Sequence, residues 1–415
     1  MKSPGWIISL TVLLLVQCAP LNKMNYANLA YLYEPESNPS NFRLIAYHIS
    51  HEQTIVHYQF DMSALLYQKN NNSQNYVSNF SIRYRLFDSF NSRMMVDSAT
   101  FLFSDSLYFG SDQVYTSSFN LRTIYPGRFV LNISLEDLNR KSNYNTYLEL
   151  FKSSENSRQN FLILDESGMP LYDEWTGPQQ IIRIRYNKPE LEKLYVSYFR
   201  NDFPIASPPF VEGKKSGFEY KADSLYEVDV MNGETGLMIL ESEGIYHFQA
   251  DTSTREGFTV FRYNDGFPAV LEAGQMLLPL RYLTTSKEYE RIEAHNDVLG
   301  AVEDFWLKHA GNVDRAKILI RKYYTRVQYA NRSFSSYLEG WKTDRGMIYI
   351  VFGPPSVVYR QNNVEQWIYG EEGNIMSITF NFVKFINPFT ENDYMLDRSA
   401  RLKEPWYMAV DGWRR

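Results

Sequence analysis

The chain is 415 residues long, with a formal net charge of -6, 44% hydrophobic residues and 16% aromatic residues. A mildly acidic chain has no basic field to hold a phosphate backbone, so nucleic acid is not an expected partner; an apolar fraction of this size supports buried cores over disorder. The single cysteine, Cys18, excludes an internal disulfide and a cysteine-rich zinc site.

Lys2 precedes an almost wholly apolar run from Trp6 to Val16. The run is shorter than the roughly 20 residues needed to span a bilayer and fits the apolar core of an export signal. It ends Leu15-Val16-Gln17-Cys18, which resembles a bacterial lipobox, whose cysteine becomes the lipid-modified first residue of the mature chain. Gln17 departs from the small residue usual before that cysteine. The alternative is an ordinary cleaved signal, but no small-x-small site follows. Residues 1–18 are expected to be a lipoprotein-type signal and 19–40 a tether. The resemblance implies membrane attachment through a lipid at Cys18, which is stable when two or more acyl chains insert. No acidic cluster follows Cys18 of the kind that often marks surface display in Bacteroidota-like lipoproteins. The expected location is therefore outer-membrane-anchored and periplasm-facing.

From Phe42 to about Leu164 the sequence reads as successive strands. Val56, Tyr58 and Phe60 alternate with His57 and Gln59; Ile82, Tyr84 and Leu86 alternate with Arg83 and Arg85; Phe129, Leu131, Ile133 and Leu135 alternate with Val130, Asn132 and Ser134. A period of two buries one face of a strand and wets the other. Several such strands separated by turn clusters predict a sandwich over 41–166. Asn70 to Asn75 reads as a polar loop tip, and Lys152 to Gln159 as a hairpin loop late in this domain. A second β region, 167–265, carries Ile182, Ile184 and Tyr186 in alternation with Arg183 and Arg185, and a long loop from Ile205 to Ser216.

After Pro268 the period changes to about 3.6. Thr285 and Glu288 form a capping-box pattern, Asn296 is placed to cap a helix bearing Phe305 and Trp306, and Asn312 to cap a long third helix. On the latter Ala316, Ile320, Tyr323, Val327, Ala330 and Phe334 share one face. Strands then return, with Met376, Ile378, Phe380 and Phe382 alternating with polar residues. The expected fold class is multidomain and mainly β: two antiparallel β-sandwiches, then helices packed on a small antiparallel sheet in an α+β domain over 266–415.

Gly340-Trp341-Lys342-Thr343-Asp344-Arg345-Gly346 leads into Met347-Ile348-Tyr349-Ile350-Val351-Phe352, then Gly353-Pro354-Pro355 and a segment holding Glu365-Gln366-Trp367-Ile368-Tyr369. This ordered string resembles the GWxTD domain family of exported, Bacteroidota-type envelope proteins. The likeness extends upstream to Asp304-Phe305-Trp306, Tyr323-Tyr324 and Phe267-Pro268. It implies an envelope location and a domain plan, and no catalytic residues. From the residues themselves the motif reads as a strand entry. Gly340 and Gly346 permit unusual backbone angles, Asp344 accepts backbone N–H groups in an Asx-type turn, Trp341 caps the core, and Gly353-Pro354-Pro355 turns the chain between strands. The functional alternative makes Asp344 a general base and Arg345 an anion binder.

Other candidate sites compete with plain structural roles. His48, His51 and His57 are close in sequence, but polar-face histidines are the expectation, since zinc needs three or four convergent ligands. The carboxylates Glu288, Glu290, Glu293, Asp297, Glu303 and Asp304 read as a solvated helical face. Trp367 and Tyr369 share a strand face; core packing is the first expectation and a sugar-stacking platform the second. No metal site and no cofactor is predicted. Two functions follow. One is a non-enzymatic envelope scaffold with protein partners, possible roles being export or envelope assembly. The other is a glycan hydrolase or carbohydrate-binding protein that uses Asp344 and aromatic platforms.

Overall fold

A computed structural model of the chain describes residues 27–34, 41–69, 76–90, 92, 94–107, 114–200, 203–211, 218, 220–361 and 363–415. Cys18, the signal run and the 70–75 loop lie outside the described residues. The first β unit contains β1 (Arg43–His48), β2 (Gln53–Asp61), β3 (Gln68–Lys69), β4 (Tyr76–Phe87), β5 (Met95–Leu107), β6 (Val114–Arg122), β7 (Gly127–Asp137) and β8 (Ser142–Lys152). Strands β1, β2 and β6 form one antiparallel sheet, and β3, β4, β5, β7 and β8 form the other. Their inner faces meet in a single core that includes Tyr58, Phe60, Phe80, Ile82, Leu131 and Ile133. The period-two residues of β2, β4 and β7 thus line the sandwich interior, but in β7 the alternate residues Val130, Asn132 and Ser134 are buried as well, which corrects the expected wet face. Each apolar side chain of the core contributes roughly 1.5–3 kcal/mol on burial.

The second unit contains β9 (Phe161–Asp165), β10 (Trp175–Thr176), β11 (Ile181–Tyr186), β12 (Lys193–Phe199), β13 (Ser224–Met231), β14 (Glu234–Thr235), β15 (Met238–Ile239), β16 (Gly244–Gln249) and β17 (Phe258–Arg262). One nine-stranded sheet folds over so that β9 and β11 face β12, β16 and β17 across a core of Ile163, Ile184, Val196, Phe248 and Val260. Of residues 152–159, expected as a hairpin loop of the first domain, Lys152 ends β8 and the rest lead from β8 to β9, connecting the two units. The strand after them, β9, pairs antiparallel with β11 from Phe161↔Tyr186 to Asp165↔Ile182.

The C-terminal region contains α1 (Ala273–Leu277), α2 (Ser286–Glu293), α3 (Val298–Ala310), α4 (Val313–Phe334), α5 (Asp344–Phe352), β18 (Val357–Gln361), β19 (Val364–Tyr369), β20 (Ile378–Lys384), β21 (Tyr394–Leu396) and α6 (Lys403–Trp413). The four strands form an antiparallel sheet in chain order, and helices α4 and α5 pack on it in a shared core. The fold is therefore mainly β with a helical C-terminal part on a small antiparallel sheet. Thr285 caps α2 with Glu288 as its reciprocal partner, and Asn312 caps α4 through Arg315 N–H at 2.9 Å. The cap of α3 is Asp297, not Asn296: its Oδ1 accepts from Gly300 N–H at 2.9 Å. Met376 is 84% exposed and precedes β20, so it is not part of the buried alternation.

Residues 27–34, expected as tether, are docked into this region. Asn28 bridges the start of β18, donating to Ser356 O at 3.1 Å and accepting from Val358 N–H at 2.9 Å. Tyr329 OH donates to Leu32 O at 2.9 Å and Tyr349 OH to Tyr33 O at 3.1 Å. The segment lacks periodicity but supplies Leu29, Ala30 and Tyr33 to the C-terminal core.

Two of the histidines are interior, correcting the polar-face expectation for one of them. His48 Nδ1 lies 2.7 Å from Thr54 Oγ1 and its Nε2 3.1 Å from Phe151 O. In the second unit His247 repeats the arrangement with Thr259 at 2.8 Å and Arg255 O at 3.1 Å. His51 is exposed and His57 half-buried. Burial pushes His48 and His247 down from 6.5 to about 4. The unfolded chain then binds more protons than the folded one between those values, so their stabilisation is complete above pH 6.5 and is lost as pH falls towards 4. At pH 5 the loss is about 2 kcal/mol per histidine. Urea midpoints are expected to drop between pH 7 and pH 5, and less steeply in His247→Gln; an unchanged slope in that variant contradicts the assignment.

Candidate functional site

The GWxTD string sits where helix, sheet and second sandwich converge, and it is a helix start. The expected strand from Met347 to Phe352 is α5, whose N-cap is Thr343. The Thr343 hydroxyl accepts from Gly346 N–H at 3.1 Å and donates to Gly340 O at 2.8 Å. Residues 345–351 are all buried. A helix enclosed on every side shows no polar stripe, so its apolar run was indistinguishable from a buried strand. The available signal was the cap: Thr343 with acidic Asp344 in the first turn, and a glycine, Gly353, just after the last turn.

The first two motif glycines serve close approach rather than unusual angles. A Cβ on Gly340 would lie 1.8 Å from Ala330 O on α4, and one on Gly346 1.8 Å from Gly340 O. Only hydrogen fits at either place. Gly353 does need its conformation, with φ +91°. With Pro354 and Pro355 it ends α5 and leads into β18, correcting the strand-to-strand turn. Arg326 crosses that end and donates to Ile350 O at 3.0 Å and Val351 O at 3.2 Å, satisfying carbonyls the helix leaves free.

Trp341 is 5% exposed. Its indole Nε1 donates to Glu339 at 3.0 Å, its backbone N–H to Asn331 Oδ1 at 3.1 Å, and its carbonyl accepts from Tyr282 OH at 2.9 Å. Asp344 makes no Asx turn. It accepts from Leu396 N–H on β21 at 2.8 Å and from Arg398 Nη1 at 3.1 Å. Arg398 also donates to Ser207 O at 3.1 Å, and Ala206 N–H to Lys342 O at 2.9 Å. The loop after β12 is therefore strapped over the motif. Arg345, the alternative anion binder, is 2% exposed, with its guanidinium 4.0 Å over the Tyr394 ring.

Behind the motif lies a buried charge cluster that the sequence reading missed. Glu365 on β19 is fully buried. Its Oε1 accepts from Tyr33 OH at 2.8 Å and Trp367 Nε1 at 2.7 Å, and its Oε2 from Arg360 Nε at 2.9 Å and Nη2 at 2.7 Å. Arg345 Nη1 stands 3.5 Å away. Burial raises the Glu365 pKa, but Arg360, Arg345 and the hydrogen bonds outweigh it and hold it at about 2. The available signal was parity: Glu365 falls on the same strand face as Trp367. Trp367 is fully buried and Tyr369 OH donates to Gly353 O at 2.7 Å. They form core, not a sugar platform. Of the carboxylate stretch, Glu288 pairs with Arg414 at 2.6 Å and is drawn down to about 2, chiefly by that hydrogen bond. Among the described residues no three His, Cys, Asp or Glu side chains gather in a metal-holding group.

A cleft of about 860 Å³ lies elsewhere, where all three units meet. Arg255 lies 4.1 Å over the Tyr220 ring and Arg128 5.2 Å over Phe151. These two and exposed Arg332 line the cleft with no carboxylate partner among the described residues. Sequence reasoning missed it because its walls come from segments far apart in the chain.

Residues 244–415 match the model of the GWxTD domain family. Over those residues the chain carries a GWxTD domain. The match begins at β16, so the family unit takes in the last strands of the second β unit. Those strands join the GWxTD domain through Ile245, Phe261, Tyr263, Tyr337 and Phe389. No curated protein matches the chain. A solved structure of red sea bream transglutaminase is similar at 7% identity over 55% of this chain and 32% of that one, with a TM-score of 0.19. A likeness that low carries nothing about fold or activity.

Trp341→Ala is expected to cost about 3–5 kcal/mol, the range for a large buried aromatic, and Gly346→Ala to leave no folded GWxTD domain. Asp344→Ala and Arg398→Ala are expected to be non-additive in urea unfolding, with a coupling of about 0.5–3 kcal/mol; strictly additive losses contradict the pairing.

Proposed function

We propose that the protein is an exported cell-envelope lipoprotein, anchored through Cys18 to the periplasm-facing side of the outer membrane. There it acts as a non-enzymatic interaction or scaffold module, an accessory of export or envelope assembly whose partners are other envelope proteins. One observation carries the scaffold reading: the motif side chains are committed to structure. Asp344 is held by Arg398 and the Leu396 N–H, Thr343 caps α5, and Trp341 and Trp367 are interior. A general base must reach a proton on substrate, and a carboxylate tied in an ion pair at 10% side-chain exposure is poorly placed to do so. The anchor rests on the Leu15-Val16-Gln17-Cys18 string.

A second reading, carbohydrate binding, is favoured by the cleft. Arg255 and Arg128 rest on aromatic rings there, and its volume suits an oligosaccharide. It would use Tyr220, Arg255 and Arg332 rather than Asp344 and Trp367.

Metabolic labelling with an acyl analogue is expected to mark the wild type and not Cys18→Ser; label that survives the substitution removes the anchor. Asp344→Asn, checked for folding, is expected to retain the wild-type crosslinks in native membranes. Envelope-glycan turnover by purified wild type that disappears in folded Asp344→Asn overturns the scaffold reading in favour of a hydrolase.

A further inference from the structure

The loop joining β19 to β20, residues 370–377, presents the most exposed apolar side chains of the GWxTD domain: Ile375 is 97% exposed and Met376 84%. Its own backbone and side chains fasten it. Ser377 N–H donates to Asn374 O at 3.0 Å, Ser377 OH to Glu371 O at 2.7 Å, and Met376 N–H to Asn374 Oδ1 at 2.9 Å. At its base Gly370 N–H donates to the Ser356 hydroxyl at 3.3 Å. The same Ser356 receives Asn28 through its carbonyl. The described N-terminal segment therefore enters the fold beside this loop. Between Cys18 and Asn28 lie nine residues, 19–27, which reach at most roughly 30 Å when fully extended and about 15–18 Å as a coil. A lipid on Cys18 would keep the bilayer within that distance of the loop base.

We infer that the 370–377 loop is a membrane-contact element that seats its Ile375-Met376 tip in a phospholipid surface next to the anchor. The inference rests on the proposed lipid at Cys18 and adds an orientation to it: the GWxTD domain lies against the membrane. The polar part of the loop defines the surface. Glu371 and Glu372 flank the tip, and Glu372 is held back by Tyr359 OH at 2.7 Å. Two carboxylates are repelled by anionic headgroups within a Debye length, so the fitting partner is a zwitterionic surface. Adjacent large apolar side chains are what such an interface accepts.

The test uses the full, acylated chain on phosphatidylcholine vesicles. Cys18 is the only cysteine, so once its sulfur carries the lipid Ile375→Cys provides a single thiol for an environment-sensitive fluorophore. Leu102→Cys on β5, where Leu102 is 73% exposed, provides the control. The expected result is a blue shift and protection from an aqueous quencher for the probe at position 375 and neither for the probe at 102. A smaller shift on vesicles rich in phosphatidylglycerol supports the role given to the carboxylates. Acylated, vesicle-bound protein whose probe at 375 stays in water overturns the loop contact and leaves the anchor standing. Shielding at 375 only when envelope proteins are present also overturns it, and assigns the loop to a protein partner. Protein that carries no acyl chain by intact mass and stays in the supernatant overturns the anchor and, with it, this inference.

Discussion

The C-terminal domain depends on one buried carboxylate. Glu365 sits at the centre of the helix–sheet core with zero exposure, where an unpaired charge would be untenable. Its partners come from four places in the chain: Tyr33 from the N-terminal segment, Arg345 from α5, Arg360 from β18 and Trp367 from its own strand. Desolvation alone would favour a neutral acid, yet the group is held at about 2 because the cations are close and its oxygens are filled with donors. A pair of this kind is weak evidence for net stability, but losing one partner costs about 3–5 kcal/mol because the other charge stays buried. The cluster therefore fixes register, since α5, β18 and the N-terminal segment have to arrive in one arrangement for the carboxylate to be satisfied.

The GWxTD string follows from that arrangement. To bring Arg345 to Glu365, α5 has to start close against α4, and the closeness is set by Gly340 under Ala330 O and Gly346 under Gly340 O. With no side chain at those points, the first turn needs another source of order. Thr343 supplies the cap and Asp344 ties the turn to β21 through the Leu396 N–H. Trp341 then closes the layer above, its indole nitrogen taken by Glu339. Each motif position has a mechanical reason, and the reasons depend on one another.

Legibility in the sequence follows the range of the forces. Where burial is local and one-sided, as for Val56, Tyr58 and Phe60 in β2 or Ala316, Tyr323 and Val327 in α4, the period could be read directly. The caps at Thr285 and Asn312 were legible because each precedes a one-sided apolar stripe, whereas Asp297 and Thr343, which bond at the same spacing, were not picked out. What failed was enclosed or remote. Helix α5 is buried on every side and has no polar stripe. Strand β9 looked like the end of one domain because its partner, β11, is set by pairing and not by composition. Residues 27–34 looked like tether because a short Tyr-rich segment has no period, and its bonding partners lie about 300 residues away. Of the candidate site, the residues of the motif could be named from the sequence, but their roles could not, because Asp344 and Arg345 are defined by what they meet in space.

The path of the chain adds a consequence for folding. The C-terminal domain contains both the first described segment and the last, so the two β units run out from it and return. The bond from Tyr33 to Glu365 closes a separation of 332 residues. Loop-closure entropy grows only logarithmically with length, so each doubling adds about 0.6 kcal/mol; once the sandwiches have formed they hold much of the loop compact. The kinetic effect is larger than the thermodynamic one. Contacts this remote come late in folding, and until residues 27–34 dock, Glu365 lacks the Tyr33 hydroxyl and the core lacks Leu29, Ala30 and Tyr33. The domain cannot be completed by its own contiguous sequence. A protein cut at the start of the family match at residue 244 would leave one Glu365 oxygen short of a donor and the Tyr329 and Tyr349 hydroxyls short of acceptors, and buried polar groups without partners destabilise by roughly 1–3 kcal/mol each. The N-terminal segment is therefore a structural part of the GWxTD domain, although it lies about 200 residues outside the family match.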